Sequence, residues 1–251
     1  MARLLDYEPH DRKEGRLLSQ SKSSKKKKNV YVPPAKQKKG NGALIWLTIA
    51  IAFIAVVIIL GINNSSKPHA FDYKELPRLG AEDAKVKLVE FGDYKCPSCK
   101  VFSEQIKPLL VKDYIETGKA ALYFANYAFL GPDSVTAAVA AHSVYLQDPE
   151  QFWAYNDAIY ANQGDENTVW ATPERLVQIA KDAKLDIDFD KLLSDINAGV
   201  GSDKVAEESR LAETTLKVGG TPSLFVDGEQ LKFNNYDDIK KAIDEKLGSD
   251  K

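Results

Sequence analysis

Val86-Lys87-Leu88-Val89-Glu90-Phe91, a short alternating apolar run, leads within a few residues into Cys96-Pro97-Ser98-Cys99, which holds the only two cysteines of the 251-residue chain. The alternation predicts a strand with a core face over 85–91. A lone C-x-x-C after a strand and at the start of a helix is the signature of dithiol redox chemistry. Residues three apart at a helix start lie on one face, so the two sulfurs reach bonding distance without backbone movement. With Cys96 as N-cap, Pro97 takes the first helical position, where its missing N–H costs nothing. The Cys96 sulfur then faces unpaired N–H groups and the positive end of the helix dipole, which favour thiolate over thiol. Free cysteine titrates near ~8.5, and C-x-x-C cysteines at helix starts fall roughly between 3.5 and 7. Lys95, just before the motif, is expected to add to the same effect.

Two other readings of the pair compete. A zinc half-site needs two further ligands, and the chain offers only His10, His69 and His142, of which His10 lies beyond a long apolar segment. A structural disulfide would close a loop too short to remove much entropy from the unfolded chain. No loop shows metal-ligand spacing, so no metal site is expected. His142 falls inside a helical pattern and reads as a packed or surface residue.

That apolar segment, residues 43–62, is 20 residues without a charge, ALIWLTIAIAFIAVVIILGI. At about 1.5 Å per residue it spans about 30 Å, the hydrocarbon thickness of a bilayer. Residues 1–42 carry 12 basic against 4 acidic side chains, a net of +8, which predicts a cytoplasmic N-terminus and an extracytoplasmic remainder. A cleaved signal peptide is the competing reading, but a 42-residue positive region is long for one and the apolar core exceeds the usual range. The expectation is a single-pass signal-anchor embedded in the lipid bilayer. The tail 1–42, with Lys25 to Lys28 and Pro33-Pro34, is too polar to bury a core and is expected to be disordered. Residues 63–251 carry 22 basic and 32 acidic side chains, a net of −10, which disfavours nucleic acid as a partner.

After a linker over 63–77, the strand at 85–91 leads to a helix expected to run from the cysteines to about Thr117, kinked at Pro108 and ended by Gly118. Ala120 to Phe129 reads as a second strand, completing a parallel βαβ unit. From about 131 to 218 the pattern turns helical: an alanine-rich helix over 135–146, an aromatic one over 151–162, a Thr172-Pro173 helix start, and shorter helices over 189–197 and 202–217. The aromatics at 152–160 are expected to pack in the core. Thr221 to Val226 returns to strand chemistry, Asp227-Gly228 signals a hairpin, and Tyr236 to Leu247 closes the domain as an amphipathic helix.

The C-x-x-C on a strand-to-helix turn, the helical block with Gln151-Phe152-Trp153 to Asn162-Gln163, and Gly219-Gly220-Thr221-Pro222 before an apolar hairpin together resemble the DsbA-like thiol-disulfide oxidoreductases in their membrane-anchored form. The resemblance covers roughly 78–248 and implies an α/β thioredoxin-like fold with an inserted helical subdomain. It implies Cys96 as the attacking thiol, Cys99 as the resolving thiol, and Thr221-Pro222 as a cis-proline loop that, with Pro97 and Ser98, meets the substrate. Glu90, six residues before Cys96, matches the family's buried acid, whose raised pKa would let it shuttle a proton for Cys99. The redox-active disulfide Cys96-Cys99 is itself the reactive group, with no organic cofactor. The implied partners are exported cysteine-containing proteins and a quinone-linked membrane reoxidase of the DsbB or vitamin K epoxide reductase type. The Pro-Ser dipeptide departs from the Cys-Pro-His-Cys of the most oxidising members. Two alternatives stay open at this point: a membrane-anchored reductase or isomerase, and a non-catalytic membrane-tethered binding domain.

Overall fold

The computed structural model describes residues 31–33, 46–54, 56 and 68–248. The chain divides into two units, Met1–Gly61 and Ile62–Lys251. In the first, residues 46–54 are helical and exposed, and no helix among the described residues is long and apolar enough to cross a membrane. Apart from residues 46–54 and 56, the expected anchor over 43–62 lies outside the described residues, as does the basic tail apart from residues 31–33.

The second unit is built on a five-stranded sheet, in which β1 (Arg78–Leu79), β2 (Val86–Gly92), β3 (Ala120–Asn126), β4 (Ser223–Val226) and β5 (Glu229–Leu231) lie in the order β1-β3-β2-β4-β5. β2 and β3 are parallel, Leu88 opposite Leu122 and Glu90 opposite Phe124, as the short connection predicts. β4 runs antiparallel to β2 and β5 antiparallel to β4. β1 is too short to show alternation, and sequence reading missed it.

Because side chains alternate across a strand, β2 feeds two cores. Val86 and Leu88 join Leu122, Phe124 and Leu224 on one face, and Val89 and Phe91 join Ala121, Tyr123, Ala125 and Phe225 on the other. Each fully buried Leu or Phe contributes roughly 1.5–3 kcal/mol. Glu90 stands in the row of Val86 and Leu88, where a carboxylate contributes nothing of this kind and must be there for another reason.

The second core is closed by residues 68–77, whose Pro68 and Pro77 had suggested a linker. Phe71 and Leu76 are buried there, and the His69 N–H donates to Gly228 O at 2.8 Å. The globular unit therefore takes in these residues, because two apolar anchors outweigh the loop character of the prolines.

The helix that starts at the cysteines, α1, is α-helical over Pro97–Val101 and Lys107–Leu110 and π-helical over Phe102–Ile106 and Val111–Ile115. The Lys107 N–H bonds Phe102 O, five residues back, immediately before Pro108. A widened turn at this point accommodates a ring and a missing donor without breaking the helix. Gly118, at φ +70°, supplies the left-handed residue that ends this segment.

The helical insertion comprises α2 (Pro132–Gln147), α3 (Phe152–Ala161), α4 (Pro173–Asp182), α5 (Phe189–Ala198) and α6 (Ser202–Arg210), the last extended by a π turn over Leu211–Thr215. Ala137, Ala138, Ala140 and Ala141 are buried in α2, and Phe152, Trp153, Tyr155 and Tyr160 are core residues of α3, as expected. Thr172 caps α4 by accepting from the Arg175 N–H at 3.3 Å. Asp227 and Gly228, at φ +48° and +83°, form the hairpin turn that needs two positive φ values. The final helix, α7, covers Tyr236–Gly248.

Candidate active site

Cys96 is the N-cap of α1 and Pro97 its first residue, the arrangement read from the sequence. Both cysteines are free thiols; Cys99 is sealed in the core, whereas Cys96 retains 8% exposure. The Cys96 Sγ–H donates to Thr221 O at 3.3 Å, across from the cis Thr221-Pro222 peptide. Thr221 Oγ1 is buried and has no partner among the described residues, so it is free to serve a thiolate.

A hydrogen bond from the Cys99 thiol is the strongest influence on Cys96. Burial opposes it, but the Thr221 side chain and the N–H groups of Cys99 and Ser98 reinforce it, and together they pull the Cys96 thiol down from 9.0 to about 6. Cys99 moves the other way. Burial first, then its bond to Cys96 and the nearby Glu90, push its pKa well above the usual value. Two sulfurs in one motif thus differ in chemistry: one is a stabilised anion at neutral pH, the other a thiol that resists ionisation.

Glu90 is 3% exposed, and its Oε1 has no hydrogen-bond partner among the described residues. Burial raises its pKa from 4.5 to about 8, a shift that Lys107 counters and Asp157 and Cys96 support. The protonated carboxyl is therefore its favoured form at neutral pH.

Lys95 departs from expectation. Its ammonium turns away from the sulfur into a buried ion pair with Asp133 at 2.6 Å and donates to Thr168 O at 2.9 Å, and it is not among the groups that stabilise the Cys96 thiolate. Proximity in sequence suggested an electrostatic role, but the turn at 93–95 directs the side chain into the insertion. Asp93 anchors this turn, accepting from the Lys95, Phe129 and Leu130 N–H groups and from Ser134 Oγ at 2.8–3.0 Å. Gln163 Nε2 donates to Tyr94 O and Cys96 O at 2.8 and 3.0 Å. The insertion thus holds the motif in place by main-chain and buried polar contacts.

Beside Cys96 lies a groove of about 630 Å³, with Ser98 and the 219–223 loop on one side and Val101, Phe102, Leu231 and Phe233 supplying apolar walls. Pro97 is exposed but does not line it. The structure therefore gathers Cys96, Cys99, Glu90, Ser98, Thr221 and Pro222 at one end of the sheet. Sequence reading missed Lys107 and Asp157, although a signal existed. Cys99, Ser103 and Lys107 recur at four-residue spacing on the buried stripe of α1, where a lysine is out of place.

A thioredoxin-like sheet with a C-x-x-C facing a cis-proline loop places the chain among the thioredoxin-fold dithiol proteins, with a helical insertion added to that fold. A family model described as thioredoxin matches residues 73–245. The chain is 38% identical over 206 residues to a probable disulfide bond formation protein D of Bacillus anthracis, covering 81% of this chain and 94% of that one. The crystal structure of oxidised BdbD from Bacillus subtilis superposes with a TM-score of 0.68 at 35% identity, covering 73% of this chain and 97% of the other. DsbA of Chlamydia trachomatis, with a TM-score of 0.65 and 24% identity over 74% of this chain and 97% of its own, shares the fold. The chain belongs to the DsbA-like thiol-disulfide oxidoreductases, as a homologue of disulfide bond formation protein D.

Proposed function

We propose that the protein oxidises pairs of thiols in exported proteins, with Cys96 as the attacked and exchanging sulfur, Cys99 as the partner that leaves and re-forms the disulfide, and Glu90 as the proton donor to Cys99. The observation that carries this reading is the opposed environment of the two sulfurs. A stabilised Cys96 thiolate favours the reduced enzyme, and an enzyme that prefers to be reduced is an oxidant. Thr221 and Pro222 present a backbone edge, and Ser98 a polar rim, to an extended substrate segment in the apolar groove; Pro97 presets the first turn under the sulfur. Relative to a thiol of pKa 9.0, a pKa of about 6 stabilises the reduced state at pH 7 by about 1.4 kcal/mol. That corresponds to about 30 mV for a two-electron couple. Because the folded pKa is lowered, this contribution is complete above pH 9 and fades as pH falls through about 6. A glutathione redox titration of the full chain at pH 7 is expected to place the couple above thioredoxin's roughly −270 mV, toward the DsbA end near −120 mV. A value at the thioredoxin end would assign a reductase or isomerase instead.

Residues 43–62 serve as an uncleaved membrane anchor, with the basic tail inside and the redox unit outside. The uncharged length of the segment and the +8 balance of residues 1–42 support this reading. A quinone-linked membrane partner of the DsbB or vitamin K epoxide reductase type returns the dithiol to the disulfide, a partner that membership of the DsbA-like family implies. After mild reduction, a membrane-impermeant maleimide applied to intact cells is expected to label Cys96 in a full-length, membrane-sedimenting protein. Labelling only after lysis would place the site inside and overturn the topology.

A further inference from the structure

The groove beside Cys96 is almost wholly neutral, with apolar walls from Val101, Phe102, Leu231 and Phe233 and a floor of backbone from the 219–223 loop. Lys232 is the one charged side chain that lines it among the described residues. It is exposed and has no hydrogen-bond or ion-pair partner among the described residues, although residues 63–251 carry 32 acidic against 22 basic side chains. Two carboxylates of the same stretch are engaged elsewhere: Glu229 pairs with Lys246 at 3.1 Å, and Asp238 accepts from the Asn234 N–H at 2.8 Å. Packing does not account for Lys232 either. Its neighbours Leu231 and Phe233 pack against the core, Phe233 with its ring 6.1 Å from that of Phe102, and Lys232 itself takes no part in that core.

We infer that Lys232 selects substrates by charge, so that the groove favours an extended segment carrying a Glu or Asp side chain about two to four residues from the reacting cysteine. This rests on the reading of the groove as the substrate site. The spacing follows from the sheet. Leu224 stands opposite Leu231 in the β4–β5 pair, and the next step of that register sets Ser223 beside Lys232. Ser223 is two residues beyond Thr221, whose carbonyl oxygen lies 3.3 Å from Cys96 Sγ. At about 3.3 Å per residue and about 4.8 Å between strands, Lys232 is displaced from Thr221 by about 7 Å along the strand and by one strand across it. Apolar walls attract any apolar segment without choosing among sequences, whereas an unpaired ammonium favours a carboxylate and repels a cation. The exchange itself is unchanged. The substrate thiolate bonds Cys96 Sγ, the Cys96–Cys99 bond breaks with its electron pair on Cys99, and the proton lost by the substrate thiol offsets the one Cys99 takes up.

The test is reduction of the oxidised full-length protein at pH 7 by cysteine peptides that differ only in having Glu, Gln or Lys at one of those spacings, on either side of the cysteine, with rates expressed per peptide thiolate. In the parent, at the best spacing, the Glu peptide is expected to react about threefold faster than the Gln peptide and the Lys peptide slower still, an effect of the size that exposed ion pairs give and one that about 1 M salt removes. Lys232→Glu reverses the order, and Lys232→Met abolishes it. Lys241→Glu makes the same change in net charge at an exposed position of α7, outside the groove, and keeps the parent order. A neutral peptide with Leu beside the cysteine is expected to outpace one with Ser there, which tests the groove itself. A leucine advantage with equal rates for the Glu, Gln and Lys peptides overturns the inference alone. So does a preference for Glu that survives Lys232→Glu, or one that Lys241→Glu reverses as well. Without a leucine advantage the groove reading falls, and the inference with it.

Discussion

Cys96→Ser is expected to abolish disulfide exchange, whereas Cys99→Ala is expected to leave a protein that holds its substrates as mixed disulfides through Cys96. The asymmetry follows from position. Cys96 keeps 8% exposure next to the groove-lining Thr221 and Cys99 has none, so the first sulfur is the one a substrate can reach. With the resolving thiol gone, a mixed disulfide at Cys96 has no internal route to release. Cys99→Ala has a second consequence, because the Cys99 thiol is the largest contribution holding the Cys96 thiolate. Its removal returns Cys96 toward its ordinary pKa. At pH 7 a thiol of pKa 6 is about nine-tenths ionised and one of pKa 9 about one-hundredth, so the thiolate fraction can change by up to about 100-fold. Iodoacetamide alkylation of the reduced protein against pH reads both points: a midpoint near 6 in the parent and a clearly higher one in Cys99→Ala. Exchange activity surviving in Cys96→Ser would remove Cys96 from the reaction, and an unmoved midpoint in Cys99→Ala would remove the sulfur–sulfur hydrogen bond from its activation.

The dithiol and its fold were legible because they are written locally. The C-x-x-C, the proline after it, the alternating strand before it and the Asp227-Gly228 turn each impose a backbone geometry within a few residues, and each was found where expected. Glu90 was legible as an acid where an apolar residue belongs. What escaped were contacts that bring together distant segments. The pairing of Lys107 with Asp157 spans 50 residues, that of Lys95 with Asp133 spans 38, and the docking of Phe71 against Phe91 and Phe225 depends on β2 and β4 being formed. Local sequence suggested a direct role for Lys95 at the sulfur, because adjacency in the chain is a poor guide to side-chain direction at a turn. The π-helical turns of α1 were likewise hidden, since Pro108 signals a disturbance without specifying how the helix absorbs it.

Lys95→Met is expected to cost about 3–5 kcal/mol of stability, the range for removing one partner of a buried ion pair. Asp133 would remain with its carboxylate buried and only the Trp170 and Ala171 N–H groups, at 3.0 and 3.3 Å, to satisfy it. Burial by itself pushes the Asp133 pKa up; the Lys95 ammonium and those two N–H groups outweigh it and hold the carboxyl below its ordinary 3.8. With the folded pKa lowered, the pair stabilises the protein above that value and loses its contribution as pH falls through the folded pKa. A loss of this size corresponds to a fall in Tm of about 10 °C for a domain of this length. Lys95→Met with Asp133→Leu is expected to recover much of it, because no unpaired charge then remains in the core. The alkylation midpoint of Cys96 separates this clamp from the electrostatic role that sequence adjacency suggested. A stable Lys95→Met protein with a raised Cys96 pKa would mean that the ammonium acts on the sulfur directly. Destabilisation with the midpoint still near 6 would mean that Lys95 serves the site by fixing the turn that carries Cys96. The geometry requires the second outcome, since the ammonium is committed to Asp133 and Thr168.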